Sequence, residues 1–174
     1  MNIIIMGPQG SGKTTQADLL AKKLYLQHIQ TGQIYRQVAK EDSPLGRKIK
    51  IVLETGKLVD DQTTLQVVDK HLSEIKTGLA IDGFPRTLVQ AQRSLFPVDK
   101  VVYLNVSDSQ AIQRLTLRGR EDDTKELIAE RLKLYHRVTE QILDYYRHLG
   151  KLIEIDGSGT IEQTQELILQ SLNP

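Results

Sequence analysis

Short apolar runs alternate along this chain with segments of helical periodicity. Strand-like runs lie at 2–6, 79–82, 100–106 and 151–155, and a weaker one lies at 26–30. Near-continuous apolar strands that are separated by helices are typical of a parallel sheet with both faces covered. The pattern therefore predicts an α/β fold, a three-layer sandwich of about five parallel strands with helices on both faces.

A wholly helical stretch interrupts the strand pattern. Its segments are 31–40, 44–54 and 61–76, and Pro44 at a helix start is ordinary boundary chemistry. We therefore expect a single domain over residues 1–174, with a core of about 1–30 and 77–174 and a helical insertion of about 31–76 that forms a second binding lobe.

Residues 123–148 predict one long amphipathic helix. Its apolar stripe consists of Leu127, Ile128, Leu132, Tyr135, Val138, Ile142 and Tyr145. We expect these tyrosines to pack in the core rather than to stack on a base.

Composition narrows the class of protein. The 174 residues fit one domain, and 23 Lys and Arg nearly balance 22 Asp and Glu, so the chain lacks the basic field that nucleic-acid binding requires. Without cysteine there are no disulfides and no thiolate zinc site.

No apolar run approaches the ~20 residues of a membrane span, and because a strand is predicted from residue 2 we expect no cleavable signal. We expect a cytoplasmic protein without a membrane partner, with monomer or small homo-oligomer left open.

The four histidines share no spacing that suits a metal site. His28, His71, His136 and His148 are therefore expected to be neutral surface or partly packed residues.

A glycine-rich loop follows the first strand and opens a helical run. It reads Gly7-Pro8-Gln9-Gly10-Ser11-Gly12-Lys13-Thr14. Its glycines let several backbone N–H groups point at one phosphate, at the positive end of a helix. Lys13 would reach the outer phosphates and the Thr14 hydroxyl could ligate Mg²⁺. We expect a nucleoside triphosphate site made of Gly7, Gly10, Ser11, Gly12, Lys13, Thr14 and Thr15.

Two further motifs also stand at strand ends. Asp82-Gly83-Phe84-Pro85-Arg86 follows the strand at 79–82, and Thr31-Gly32-Gln33-Ile34-Tyr35-Arg36 follows the one at 26–30. Because the carboxyl ends of parallel strands face the ligand crevice, Asp82 should lie near the metal and Arg86 over it. The second motif could receive another phosphate at a helix start, although its Thr is also a common N-cap.

Arginines cluster in the second half of the chain. Arg114 and Arg118 lie four apart in the helical run 108–118, and Arg120 and Arg131 follow. A like-charge pair at this spacing costs stability unless an anion lies between its members. Asp122 and Asp123 are expected to cap the next helix and to orient these arginines.

The strings GPQGSGKTTQ, TGQIYR, GKLV (56–59) and DGFPRTLVQ, with Arg118, Arg120 and Arg131, stand in the order and spacing of the adenylate kinases. The chain thus resembles this branch of the nucleoside monophosphate kinase family over essentially its whole length. The resemblance implies a P-loop NTPase fold and reversible phosphoryl transfer from MgATP to AMP, giving two ADP. It also implies that Mg²⁺ lies near Thr14 and Asp82, bound directly or through water.

The resemblance further implies the roles of individual residues. Lys13, Arg86, Arg118, Arg120 and Arg131 would act on the transferred phosphates, Arg118 also on ATP, and Arg114 would lie near the ATP purine. AMP would be held by Thr31, Gly32, Arg36, Lys57, Leu58, Val59, Gly83, Arg86, Gln90, Arg120 and Arg131.

The chain departs from the family pattern at the lid. Only Gly119 separates Arg118 from Arg120, where adenylate kinases carry a mobile lid, so the lid is reduced to a tight turn at about 118–122 and lacks a zinc site. We hypothesise that transfer survives while some ATP is lost to water, or that a neighbouring subunit covers the cleft. Thr14 also stands where the family usually has glycine.

Two alternatives stay open. Thr31 and Gln90 favour AMP, since a side-chain amide can both donate to and accept from adenine, but a UMP/CMP or other monophosphate kinase is a close competitor. A nucleotide sensor with little turnover is the alternative from another class, and the intact set of cationic residues argues against it.

Overall fold

The computed structural model describes residues 1–55, 57–119 and 124–172. Its sheet consists of five parallel strands in the order β2-β3-β1-β4-β5. Their bounds are β1 Asn2–Met6, β2 Gln27–Gln30, β3 Leu79–Asp82, β4 Lys100–Asn105 and β5 Leu152–Asp156. The predicted parallel α/β fold is confirmed, and each predicted strand lies within one residue of an observed one.

Helices cover the sheet on both faces. They are α1 Lys13–Leu24, α2 Thr31–Val38, α3 Pro44–Glu54, α4 Asp61–Ser73, α5 Leu88–Arg93, α6 Asp108–Arg118, α7 Lys125–Leu134, α8 Gln141–His148 and α9 Ile161–Leu172. Helices α5 and α9 lie outside the elements predicted above. Within the described ranges, no helix is both long enough and apolar enough to cross a membrane.

Side-chain caps explain where several helices begin. Ser43 accepts a hydrogen bond from the Gly46 N–H before α3, and Asp60 accepts one from the Thr63 N–H before α4. Each cap satisfies one of the N–H groups that a helix leaves unpaired at its start. Thr124 caps α7 in the same way through the Leu127 N–H, whereas the predicted caps Asp122 and Asp123 lie outside the described residues.

The alternation of side chains along the strands divides the core into two layers. Ile3, Ile5, Val102 and Leu104 pack with α1 and α9 on one face. The larger layer on the other face joins strand residues to the helices α2–α4 and α8, and it includes Ile4, Ile81, Val101, Ile34, Ile49, Val68 and Ile142.

The long helix predicted over 123–148 is interrupted by a π-helical turn at Tyr135–Thr139, between α7 and α8. The Glu140 N–H donates to the Tyr135 carbonyl, so one extra residue enters the turn. The extra residue shifts the buried stripe. Thr139 and Tyr146 are buried where the unbroken period predicts Val138 and Tyr145, which are half-buried. Tyr135 is buried as predicted.

Candidate active site

The glycine-rich loop joins β1 to α1, as its sequence predicts. Gly10 has a φ of 83°, and a Cβ there would stand 2.4 Å from the Ala111 carbonyl oxygen, so only glycine fits between the loop and α6. Gly12 is the N-cap of α1 and has no side chain with which to cap the helix. The first N–H groups of α1 are therefore oriented toward the adjoining cavity at the positive end of the helix.

Lys13 is the first residue of α1, and its Nζ donates to the Pro8 carbonyl at 3.1 Å. Burial lowers its pKa to about 8, the charge of Asp82 opposes this shift, and the charges of Arg86 and Arg118 add to it. Keeping Lys13 charged in the free protein therefore costs free energy, and a polyanion bound in the cavity would offset that cost.

Asp82 is a buried carboxylate at the carboxyl end of β3. Its Oδ2 lies 3.1 Å from His28 Nε2, and its carbonyl accepts a hydrogen bond from Thr31 Oγ1 at 3.0 Å. The sequence did not predict this partner for His28. The signal that could have found it is the strand register, which places Gln30 beside Asp82 and His28 two residues earlier on the same face of β2.

Gln30 connects the glycine-rich loop to the start of α2. Its Nε2 donates to Thr14 Oγ1 at 3.2 Å, and the residue itself is the N-cap of α2, the helix that carries Arg36. No motif singled out Gln30.

Arg86 is held by the loop between β3 and α5. Its Nε donates to the Gly83 carbonyl at 2.8 Å, and its own carbonyl accepts a hydrogen bond from Thr139 Oγ1 at 3.0 Å. Burial lowers the pKa of Arg86, and the charge of Arg131 adds to this shift while Tyr35 and Asp82 oppose it. Thr139 reaches this carbonyl from the π-helical turn, which is why a regular helical period does not reveal it.

Gln90 is 1% exposed, and both ends of its amide are bonded. Oε1 accepts from the Arg86 N–H at 2.8 Å, and Nε2 donates to Asp61 Oδ1 at 2.9 Å. Thr87 Oγ1 donates to the same carboxylate oxygen at 2.7 Å. The amide is thus fixed in one orientation at the cavity wall.

These residues surround a cavity of about 600 Å³, a size that is typical of sites for small molecules. Most of the predicted site residues line it: Gly7, Gly10, Lys13, Thr14, Gly32, Arg36, Lys57, Leu58, Val59, Asp82, Gly83, Arg86, Gln90, Arg118 and Arg131. Sequence reasoning missed other residues of the wall, among them Gln30, Tyr35, Thr64, Tyr135 and Thr139.

Several predicted residues lie away from this wall. Ser11 and Thr31 are buried, Thr15 is exposed on α1, and Gly12 is the N-cap of that helix. Arg114 lies on α6, where its Nη2 donates to the Gly157 carbonyl at 2.9 Å, so it contacts the loop between β5 and α9. Arg120 lies outside the described residues.

The cavity combines a phosphate loop at a helix start with several cationic side chains, namely Lys13, Arg36, Lys57, Arg86, Arg118 and Arg131. Its wall also carries the Asp82 carboxylate and the Thr14 hydroxyl, which are groups of the kind that bind Mg²⁺, and the amide of Gln90. Fold and site together define a P-loop protein built to hold polyphosphates.

Comparison with known proteins narrows this class to one family. The adenylate kinase family model matches residues 5–151. An adenylate kinase of Prochlorococcus marinus is 38% identical over 178 positions, covering 98% of this chain and 96% of that protein. Adenylate kinase 1 of Nostoc sp. is 40% identical over 179 positions, covering 98% of this chain and 95% of that protein. The chain belongs to the adenylate kinase family.

The relatives differ in the length over which they align with this chain. The adenylate kinase of Dehalococcoides mccartyi is 35% identical, and its alignment runs over 210 positions, which exceeds the 174 residues here. That relative therefore has segments without a counterpart in this chain, whereas the Prochlorococcus alignment is nearly the length of the chain itself.

Proposed function

We propose that this chain catalyses the reversible transfer of the terminal phosphoryl group of MgATP to AMP, which gives two ADP. The observation that carries the proposal is the position of Lys13, Arg86, Arg118 and Arg131 around one cavity that also holds the phosphate loop and Gln90. Family membership supports the same reaction.

The chemistry requires positioning and positive charge. The AMP phosphate is mostly a dianion at neutral pH, because its second pKa is about 6, so it attacks without a general base. The transition state spreads negative charge over the oxygens of the transferred group, and fixed cations stabilise that charge. Lys13 and Arg118 suit the ATP phosphates, and Arg86 and Arg131 suit the acceptor side, with Arg120 completing the set that the family pattern implies.

Mg²⁺ fits this site as the partner of ATP. Thr14 presents a hydroxyl oxygen and Asp82 a carboxylate, both on the cavity wall, and Mg²⁺ usually keeps several waters and takes only one or two ligands from the protein. When bound, the ion neutralises charge on the phosphates. His28 holds one oxygen of Asp82 and so fixes the direction of the carboxylate.

AMP would occupy the end of the cavity between α2, the segment 57–59 and α5. Arg36 and Arg86 would hold its phosphate, and Gln90 and Val59 line the wall where the base would lie. Near the ATP purine, Arg114 and the loop at Gly157 offer a flat guanidinium group and several carbonyls.

A coupled assay of ADP formation tests the proposal. The wild type should consume ATP and AMP in equal amounts, and Lys13→Ala should lower kcat by roughly 10²–10³-fold, the usual loss for one transition-state donor. A panel of monophosphates in the same assay separates AMP from UMP and CMP as acceptors. Equal and negligible rates in wild type and variant would instead favour a nucleotide sensor.

A further inference from the structure

We propose that Asp61 determines the specificity of the acceptor site by fixing the amide of Gln90 in the orientation that suits a 6-aminopurine. The proposal rests on the function proposed above and deepens it. Asp61 is a positioning residue here, since it acts on the base through Gln90.

Two independent contacts set the direction of the amide. The Arg86 backbone N–H can only donate, so the atom that faces it at 2.8 Å is the amide oxygen. The Asp61 carboxylate can only accept, so the atom at 2.9 Å from it is the amide nitrogen. Both contacts require the same orientation of Gln90.

The Thr87 hydroxyl holds the Asp61 carboxylate beside this group. It donates to the same Asp61 oxygen at 2.7 Å, and as the N-cap of α5 it accepts the backbone N–H of Gln90 at 3.2 Å. Asp61 is the first residue of α4, and Gln90 lies on α5, so the contact also joins the insertion to the segment that carries Arg86.

The two contacts leave one hydrogen-bond donor and one acceptor on the Gln90 amide, in fixed positions. A side-chain amide offers two N–H donors and two oxygen lone pairs, and Arg86 and Asp61 each take one. One N–H and one lone pair remain for a ligand, and Gln90 lines the cavity. Adenine matches this pair, because its N6 amino group donates and its N1 accepts.

Hypoxanthine, the base of IMP, has the inverse pattern on the same skeleton, since its O6 accepts and its N1–H donates. To pair with it, the amide would have to turn over. Its nitrogen would then face the Arg86 N–H, and its oxygen would face the Asp61 carboxylate. Because both new contacts are repulsive, the enzyme rejects a base with this polarity.

The test compares AMP and IMP as acceptors for wild type and Asp61→Asn. An asparagine side chain has nearly the same shape but can either donate or accept, so the amide of Gln90 loses one of the two contacts that set its direction and keeps only the one to the Arg86 N–H. We expect the ratio of kcat/KM for AMP to that for IMP to fall about tenfold or more, with the change in the acceptor KM and with the KM for MgATP unchanged.

Asp69→Asn is the matched control. Asp69 lies on the same helix and accepts a hydrogen bond from Ser94 at the end of α5, so it also joins α4 to α5, but through Ser94 instead of Gln90. This variant should keep the wild-type ratio. Asp61→Ser, which leaves room for a water beside the amide, gives a second measurement should Asp61→Asn fold poorly.

A ratio within twofold of wild type in folded Asp61→Asn and Asp61→Ser would overturn the proposal, as would an equal fall in Asp69→Asn. Failure of the proposed function has a different signature, namely a wild type that forms no ADP from ATP and AMP.

Discussion

Gln30 Nε2 donates a hydrogen bond to Thr14 Oγ1 across 3.2 Å, and this contact joins the phosphate loop to the helix that carries Arg36. Gln30 ends β2 and stands at the N-cap position of α2, whereas Thr14 lies in the first turn of α1. One side chain therefore connects the proposed ATP end of the cavity to the proposed AMP end.

Replacing Gln30 by alanine should weaken the binding of MgATP. The Thr14 hydroxyl would lose its partner and its fixed direction, and a net hydrogen bond of about 0.5–1.5 kcal/mol corresponds to a rise of about 2–10-fold in the KM for MgATP. Gln37→Ala, an exposed change on the same helix, is the control.

A double-mutant cycle shows whether the effect passes through Thr14. In the Thr14→Ala background, Gln30→Ala should cause no further change in the dissociation constant of a non-hydrolysable ATP analogue, measured by calorimetry. Additive effects of the two changes would show that Gln30 acts by another route.

Binding of ATP should be accompanied by uptake of a proton at Lys13. The pKa of Lys13 is about 8 in the free protein, below its ordinary value of 10.5, because burial disfavours the charged form. Phosphate oxygens favour that form and raise the pKa again. At pH 8 a fraction of the Lys13 side chains is therefore neutral in the free protein and takes up a proton when ATP binds. The affinity for ATP falls as the pH rises further.

Calorimetry at pH 8 in two buffers of different ionisation enthalpy measures this uptake. Lys13→Arg is the control, since arginine keeps its proton at this pH and should remove the difference between buffers. The same difference in wild type and Lys13→Arg would assign the proton to another group.

The strands and the phosphate loop could be predicted because their signals are local. β1 and β4 are near-continuous apolar runs, and the loop is fixed by its glycines and Lys13. Asp61 and His28 carry no such signal. Each acts through a partner on another element, Gln90 or Asp82, and only strand order and helix packing bring them together.

Thr139 shows a second reason why sequence reasoning falls short. A regular period places Val138 on the buried stripe, but the π-helical turn adds a residue and rotates Thr139 toward Arg86. The choice between an α and a π turn depends on such tertiary contacts, which no local pattern encodes.

Thr139→Val should destabilise the fold and weaken the acceptor site. The change keeps the shape of a side chain that is only 7% exposed, but it leaves the Arg86 carbonyl without this donor. The expected loss is about 1–3 kcal/mol in the free energy of unfolding by urea, together with a higher KM for AMP.

Thr116→Val provides the comparison. The Thr116 hydroxyl donates to the Ile112 carbonyl on the exposed face of α6. Its removal should therefore lower the free energy of unfolding by no more than about 0.5 kcal/mol. An equal decrease in the free energy of unfolding in the two variants would show that the hydrogen bond to the Arg86 carbonyl contributes no more than an exposed one.

His136 should make stability depend on pH. Its Nε2 lies 2.9 Å from Asp108 Oδ1 and its Nδ1 2.9 Å from Glu140 Oε1, and these hydrogen bonds, that of Asp108 first, raise its pKa above the ordinary 6.5. Because the pKa of His136 is higher in the folded state, protonated His136 stabilises the fold fully below pH 6.5. This stabilisation is lost as the pH rises through the pKa of His136 in the folded protein.

The excess of wild-type stability over His136→Gln should therefore be larger at pH 6 than at pH 9. The side chain is 42% exposed and screened by water, so the difference should not exceed about 1 kcal/mol. Urea unfolding at both pH values measures it, with His148→Gln as the control. An excess that grows with pH would contradict this account.

The wild type should also hydrolyse some ATP when AMP is absent. In the sequence only Gly119 separates Arg118 from Arg120, where the family pattern has a lid, and we therefore predict that little of the chain covers the phosphates there. Water excluded from an active site cannot compete with the acceptor, whereas water admitted to it can. ADP formation without AMP, measured against Lys13→Ala to subtract contaminating hydrolysis, should exceed background. A rate equal to that of the variant would mean that the cavity excludes water by other means, and sedimentation of the active enzyme would then show whether a second subunit provides the cover.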